Sequence, residues 1–536
     1  MTFKKLLVLL LSISLILLTA CKGGSVSTPS NESQGENAQT LQASKSLQLL
    51  YCENDTINPY KTINKANAEI AQLIYEPLVK LDNNFKPVFA LAKSVDIKNN
   101  ICTVTLKDAL FFDGSKVTAD DVVFSIGLAK DSERYSYLFY EVKNVFAEGS
   151  EKIVFELSKT DPYFTNLLTF PILKTGTDNL KDEDNMEIAP VGCGRFMLSK
   201  DETALTPFEN YYGDKSPVSK IKLINAPDKE SVKHYVEIGA TDIYYTDYSD
   251  ASIYRMSGKR HMVNLNNLVY IGINHKNSLL STYEMRLAIS SALNKEEIIT
   301  KAFHGNATVA EGFFHSAWDE ISNVQTLQAT PNEKIVIENL EKIGYNSTDT
   351  KGIRKSAFGS RLSFNLLVNR DNPSKLSLAH LLATQLKKVG IEIKINEVSA
   401  SQFSSLVSTG NFQMYIGEVK VLPNMDISSL VLPGGSAAAG IVSPHTEATK
   451  ENSEETENID TTLDNFNNKA YISVINGFYS GKNSVADLAS SLISAMPVIP
   501  VVFRSGVVFH KDEITDLGTV SATDLFLSID KYKFEN

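Results

Sequence analysis

The feature that most constrains the fold is a repeated change of hydrophobic period along residues 47–536. The segment LSLAHLLATQLKKVG places Leu378, Leu382 and Leu386 on one stripe and closes with Gly390, which predicts a helix and its end. The next run, IEIKINEV, alternates apolar and polar side chains as a half-buried strand does. Because such changes recur without an internal repeat, the sequence predicts an α/β protein.

Further segments fill out this organisation. The predicted strands are LQLLYC, ICTVTLK, KIVFEL, KIKLINA, VYIGINH and SFNLLVN. A helical pattern in AEIAQLIYEPLVKL ends before Pro77, and another runs along EMRLAISSALNKEEIITKAF.

The N-terminus differs in kind from the rest of the chain. Lys4 and Lys5 precede an apolar run from Leu6 to Leu18, which predicts a signal peptide over residues 1–20 because the run is short for a membrane span. The alternative is a retained N-terminal anchor helix.

The Leu-Thr-Ala-Cys sequence that ends at Cys21 resembles the bacterial lipobox. The resemblance implies that the Cys21 thiol is lipidated and becomes the first mature residue. Residues 21–46 contain few large apolar side chains, so they are predicted to form a flexible tether on that lipid anchor.

Composition excludes some classes of function. A formal net charge of −11 argues against a nucleic-acid-binding protein, which needs a basic face. Apart from Cys21, the cysteines are Cys52, Cys102 and Cys193, an odd number with no C-x-x-C spacing, so they are predicted to be small buried apolar residues.

Two acidic stretches invite a metal-site interpretation. In FFDGSKVTADDVVFS, however, Thr118 and Asp121 have the spacing of a capping box at a helix start, and the alternating oxygens of a calcium loop are missing. Residues 443–460 are predicted to be a solvated surface excursion, with a cation-binding or docking loop as the alternative.

The segment ALFFDGSKVTADDVVFSI resembles the signature of extracellular solute-binding proteins of family 5, the peptide, nickel and sugar type of ABC importers. Other segments follow in the family's order, among them IAQLIYEPLVKLD, APVGCGRFMLSK, VYIGINHKN and MPVIPVVF. The resemblance covers residues 47–536.

This resemblance implies two α/β lobes joined by two hinge strands, a periplasmic-binding-protein-like fold of type II with an extra subdomain. Lobe one would comprise residues 47–268, with an inserted subdomain at about 85–220. Lobe two would comprise residues 269–496, and residues 497–536 would return to lobe one. The lobes would close over a ligand.

The resemblance also suggests binding residues, although the chain departs from the family pattern. Peptide-binding members carry a Trp-x-x-Asp-Tyr motif whose Asp pairs with the ligand's amine, and here Gly417 and Lys420 stand at the Trp and Asp positions. We expect Lys420 to favour an acidic ligand group, the alternative being that it points to solvent. The candidate ligand-binding residues are Asn58, Tyr60, Asn274, Glu418 and Lys420. For Asn274 the alternative is a strand-end turn. Trp318 is expected either in a loop over the cleft or as a core or surface aromatic.

The sequence gives little support for catalysis. GFYSGKNS lacks the spacing of a P-loop, and the histidines are scattered, so we predict no enzyme, no metal and no cofactor. The predicted function is that of a monomeric, membrane-anchored, extracytoplasmic protein that captures an oligopeptide or peptide-like ligand and delivers it to an ABC permease. The alternative is a lipoprotein that senses a ligand and signals to a membrane partner.

Overall fold

The computed structural model describes residues 45–183, 185, 187–248, 256–324, 326–442 and 468–535. Its strands are β1 (Lys45–Tyr51), β2 (Val79–Leu81), β3 (Pro87–Phe89), β4 (Ala92–Lys98), β5 (Ile101–Leu106), β6 (Val142–Glu148), β7 (Lys152–Leu157), β8 (Phe196–Leu198), β9 (Ala204–Pro207), β10 (Val218–Asn225), β11 (Ile243–Thr246), β12 (Lys259–Ile273), β13 (Ala307–Val309), β14 (Ser347–Thr348), β15 (Arg354–Lys355), β16 (Ser363–Asn369), β17 (Glu392–Val398), β18 (Met414–Lys420), β19 (Ile499–His510), β20 (Ile514–Asp516) and β21 (Lys533–Phe534). Its α-helices are α1 (Lys65–Ile74), α2 (Ala119–Asp131), α3 (Lys229–Glu237), α4 (Tyr283–Ser291), α5 (Lys295–Ala302), α6 (Glu333–Lys342), α7 (Pro373–Lys388), α8 (Ala400–Ser408), α9 (Ser428–Val431), α10 (Asn468–Tyr479) and α11 (Val485–Ala495).

These elements form two lobes. Lobe one contains two four-stranded sheets, with strand orders β1-β10-β9-β8 and β4-β5-β7-β6, together with helices α1 to α3 and the C-terminal hairpin β20-β21. Lobe two contains helices α4 to α11 around strands β16, β17 and β18. Strand β16 pairs in parallel with both β17 and β18.

A seven-stranded sheet passes through both lobes, with the order β11-β19-β12-β18-β16-β17 and β13 paired to β19. Strands β12 and β19 are antiparallel, and their register shifts between Asn264 and Leu268. The N-terminal part of β12 pairs only within lobe one, whereas its C-terminal part also pairs with β18 of lobe two. The irregularity lies where β12 passes from lobe one to lobe two, the place expected for a hinge strand, and extra residues on one strand bend and twist a ladder locally.

The predicted strands and helices are present, although several bounds differ; the predicted strand VYIGINH, for example, is the end of the longer β12. The pattern predicted along EMRLAISSALNKEEIITKAF is divided into α4 and α5, because the Asn294 side chain accepts the Glu297 N–H and starts a new helix. Strand β1 begins at Lys45, so the last two residues of the predicted tether belong to the sheet. As predicted, α1 ends before Pro77, and α7 is followed by Gly390 at φ +87°.

The capping interpretation of the acidic stretch is confirmed. The backbone N–H and hydroxyl of Thr118 both donate to the Asp121 carboxylate, at 2.9 and 2.7 Å. Helix α2 begins at Ala119, directly after Thr118. The other oxygen of Asp121 accepts two hydrogen bonds from Thr175. Within the described ranges, no group of three or more His, Cys, Asp or Glu residues could hold a metal ion.

Cys52, Cys102 and Cys193 are buried and free, as predicted, and the latter two lie in the core of lobe one. Across the part of the chain that the structure describes, none of the helices combines the length and apolar character needed to cross a membrane. The predicted signal peptide, Cys21 and the acidic segment 443–460 lie outside the described residues.

Candidate functional site

A cavity of about 490 Å³ lies beside the hinge and takes its walls from both lobes. We call it the hinge cavity. Lobe one contributes the segment after β11 and the start of β12, and lobe two contributes the N-terminus of α7 and strand β18. The charged residues that line it are Asp247, Arg260, Lys375, Glu418 and Arg504.

Glu418 is the centre of an ion cluster in this cavity. Its carboxylate accepts from Arg504 Nη1 at 2.9 Å, from Lys375 Nζ at 3.0 Å and from Asn267 Nδ2 at 3.0 Å. These partners come from three elements, β19, α7 and β12. Lys375 reaches Glu418 because Asn372 caps α7 and Pro373 is its first residue, which sets the direction of the first turn.

The cluster keeps Glu418 ionised. Burial alone would raise the pKa of this carboxyl, but Lys375 and Arg504 outweigh it and hold the pKa below its ordinary value. One carboxylate thus faces two cations, so the cluster keeps an excess positive charge.

A second cavity, of about 410 Å³, lies in lobe one between α1, α3 and β11, and we call it the lobe-one cavity. Lys65, Glu69 and Tyr245 line it. Burial raises the pKa of Glu69 to about 8, with Lys65 lowering it and Asp247 raising it. The Lys65 Nζ lies 3.6 Å from the Asp247 carboxylate and 4.6 Å from the centre of the Tyr245 ring.

The segment after β11 connects the two cavities. The Asp247 carboxylate pairs with Lys65 of the lobe-one cavity, while its carbonyl oxygen accepts a hydrogen bond from Arg504 Nη2 of the hinge cavity. Arg504 therefore bonds Glu418 of lobe two and Asp247 of lobe one at once. A shift of one lobe against the other has to rearrange this contact.

The lobes also meet through packed aromatic rings, in a region that we call the sealed interface. Phe85 of lobe one stacks on Trp318 of lobe two, with ring centroids 5.4 Å apart and an interplanar angle of 15°. Tyr163 of lobe one packs edge-on against Trp318 and stacks on Phe478. Trp318 is only 5% exposed, so it is a buried aromatic of the closed arrangement.

Buried hydrogen bonds accompany these rings. Asn424 Nδ2 donates to the Asp161 carboxylate at 2.7 Å, and Asn166 Nδ2 donates to the Pro423 carbonyl oxygen at 2.9 Å. Both bonds cross from one lobe to the other. Burial raises the pKa of Asp161 to about 6, although the Asn424 and Tyr163 hydrogen bonds oppose the rise.

The structure places the predicted ligand-binding residues in different surroundings. Glu418 lines the hinge cavity. Asn58 is buried and bonds the Asp178 carbonyl oxygen and the Tyr60 N–H, while the Tyr60 hydroxyl bonds the Pro171 carbonyl oxygen. Asn274 bonds the Gly410 and Phe412 carbonyl oxygens in a strand-end turn. Lys420 is exposed and lies 5.4 Å from the Tyr137 ring centre in lobe one.

Neither Asn58, Tyr60, Asn274 nor Lys420 lines either cavity. Reasoning from sequence missed Arg504, Lys375 and Asp247. For Arg504 a signal existed, since it is the one cation inside the apolar strand IPVVFRSGVVF. For Lys375 and Asp247 none did, because each is an ordinary surface-type residue until the fold brings it to the hinge.

The comparisons with known proteins decide the family. Residues 85–434 match the family of bacterial extracellular solute-binding proteins, family 5. The chain belongs to this family. Its members are substrate-binding proteins rather than enzymes, and they work with ABC permease components.

Relatives cover most of the chain. The oligopeptide-binding protein AppA of Bacillus subtilis is 26% identical over 456 residues, which are 80% of each chain. The nickel-binding periplasmic protein of Escherichia coli is 23% identical over 388 residues, which are 67% of this chain and 72% of the relative.

Solved structures agree in fold. An ABC transporter substrate-binding protein from Sinorhizobium meliloti superposes with a TM-score of 0.69 at 18% identity, covering 92% of this chain and 100% of that one. AppA from Bacillus subtilis, in complex with a nonapeptide, gives a TM-score of 0.54 at 20% identity with the same coverage. At these identities the likeness shows the two-lobe fold alone.

Proposed function

We propose that this family 5 protein captures an oligopeptide or peptide-like ligand between its lobes and delivers it to an ABC importer permease. The hinge cavity carries this proposal, because residues of both lobes form its walls around a space large enough for part of a ligand. A ligand that touches both walls favours the closed arrangement by its differential affinity for it.

The lobe-one cavity supports a longer ligand. The two cavities share one chain segment, since Tyr245 lines the lobe-one cavity and Asp247 lines the hinge cavity. Asp247 also pairs with Lys65 of the lobe-one cavity. An extended peptide offers backbone donors and acceptors along its whole length. We infer that one ligand extends past this segment and contacts both cavities.

We further propose that lipidated Cys21 anchors the protein outside the cytoplasm as a monomer, with residues 21–44, which precede β1, as its tether. Lobe one would then comprise residues 45–268 and 497–536, and lobe two residues 269–496. Incorporation of a labelled fatty acid tests the anchor. It should be lost on Cys21→Ser and kept on Cys52→Ser, and incorporation into the Cys21→Ser protein would contradict it.

A thermal-shift screen tests ligand capture. The full chain in detergent is mixed with pools of short peptides, sugars or nickel chelates. A ligand at about 100 times its dissociation constant should stabilise the protein by roughly 2.7 kcal/mol. We expect the peptide pool to raise the melting temperature. A shift from sugars or chelates alone would contradict the peptide class, and no shift from any pool would contradict capture itself.

A further inference from the structure

The charges around the hinge cavity do not cancel. Glu418 faces both Lys375 and Arg504, and the charge of Asp247 is balanced by Lys65, which lines the other cavity. Two cations thus share one carboxylate, which leaves a formal excess of one positive charge. The chain as a whole carries the opposite sign of charge, with a formal net charge of −11.

Arg260 adds a second positive charge. Its guanidinium donates to the neutral Asn306 side chain at 2.8 Å and lies 5.6 Å from the Phe509 ring centre. No carboxylate of the described residues forms an ion pair with it. Arg260 lines the hinge cavity, so its charge is available to a molecule that enters.

Hydrogen-bond donors accompany these charges. The first turn of α7, a helix of sixteen residues, lines the cavity with Asn372, Pro373 and Ser374, and the start of a helix favours negative charge. Because Asn372 already accepts the Lys375 N–H and proline has no N–H, Ser374 supplies the donors of this turn. Ser505 also lines the cavity; it is 2% exposed, and its hydroxyl has no hydrogen-bond partner among the described residues. Such an orphaned buried hydroxyl is costly unless a ligand or water completes it.

We propose that the hinge cavity binds an anionic group of the ligand, a carboxylate or a phosphate, with Arg260 as its main cation and the Lys375–Arg504 pair as the second. This inference rests on the proposed function and names the ligand chemistry of the same site. A guanidinium suits either group, because it can donate two parallel hydrogen bonds to both. A free amine at this position would meet like charge.

Matched probes test the proposal by equilibrium dialysis with the full chain in detergent. A tetrapeptide pool with free C-termini is compared with the same pool amidated at the C-terminus, and a hexose phosphate pool is compared with the parent hexoses. We expect the protein to bind at least one anionic pool about tenfold more tightly than its neutral counterpart. The arm that responds distinguishes a carboxylate from a phosphate.

Two variants should change this affinity in opposite directions. Arg260→Gln should weaken binding of the anionic probe by about tenfold or more. Glu418→Gln should strengthen it, because Lys375 and Arg504 lose their internal carboxylate. Arg361→Gln is the matched control, since Arg361 pairs with Asp349 and Glu392 outside the cavity, and it should leave the affinity unchanged. Arg260 is exposed, so its variant is expected to fold.

The outcomes separate this inference from the function on which it rests. Equal binding of charged and neutral pools would overturn the anionic site and leave ligand capture standing. Unchanged affinity for the anionic probe in Arg260→Gln would overturn it in the same way. Failure of every pool to bind would overturn ligand capture and the anionic site together.

Discussion

The two regions where the lobes meet are built in contrasting ways. In the sealed interface, Phe85, Tyr163 and Trp318 fill the space with rings, and buried hydrogen bonds cross from Asp161 and Asn166. At the hinge cavity, charged side chains surround an open space instead. The first region is filled by side chains of the two lobes, although the Trp318 Nε1–H has no hydrogen-bond partner among the described residues. The second leaves a space that, on the proposed function, a ligand fills.

This difference separates closure from selection. Packed rings and hydrogen bonds that cross between the lobes stabilise the closed arrangement without distinguishing one ligand from another. An excess of positive charge in a cavity discriminates between ligands instead, because it rewards one sign of charge and penalises the other. Changes in the sealed interface should therefore alter stability and closure, and changes in the hinge cavity should alter ligand choice.

The largest effect is expected from Trp318→Ala. Removing a buried indole that contacts both Phe85 and Tyr163 should lower the free energy of unfolding by about 3–5 kcal/mol. Urea denaturation followed by circular dichroism measures it. Phe358→Ala is the control, because Phe358 is 96% exposed. Equal stability of the two variants would contradict the description of the sealed interface.

The next effect is expected from Arg504→Gln. The variant leaves the partly buried Glu418 carboxylate with Lys375 as its single cation, which should cost about 2–3 kcal/mol of stability. Adding Glu418→Gln should restore part of the loss, because the stranded charge is then removed. A double variant no more stable than Arg504→Gln would show that the cluster does not act as a charge pair.

A smaller, pH-dependent effect is expected at Asp161. The pKa of Asp161 is about 6 in the folded protein, above the ordinary 3.8. The folded state therefore binds this proton more tightly than the unfolded state does. Stability should therefore fall as pH rises from about 4 to about 6, by up to roughly 2–3 kcal/mol from this group. Asp161→Asn should flatten that slope in melting experiments. Asp113→Asn should keep it, because the pKa of Asp113 is about 2; an unchanged slope in Asp161→Asn would contradict the assignment.

The smallest effect is expected at Lys420. Its ammonium lies 5.4 Å from the Tyr137 ring of the other lobe, and an exposed contact of this kind contributes about 0.5–1 kcal/mol. A double-mutant cycle of Lys420→Ala and Tyr137→Leu measures it. Lys420→Ala alone tests whether Lys420 favours an acidic ligand group. A loss of affinity for an anionic probe would support that hypothesis, and an affinity equal to that of the wild type would contradict it.

The fold follows from local patterns far better than the site does. A few consecutive residues contain the apolar stripe that predicts α7, the Gly390 that marks its end and the alternation that predicts β17. The contact between Glu418 and Arg504 joins positions 86 residues apart, and that between Asp161 and Asn424 joins positions 263 apart. Such distant residues come into contact only when both lobes are packed. Glu418 could be proposed from its neighbourhood in the sequence, but its partners could not.

Trp318 offers the most direct test of the central claim that the lobes close around a ligand. It is the one tryptophan of the chain and is buried against Phe85 of the opposite lobe. A probe that binds in the dialysis experiment is added to the protein. The fluorescence emission of Trp318 should then shift to the blue, and the radius of gyration of the protein from small-angle scattering should decrease. Binding with neither change would show that this protein holds its ligand without closing.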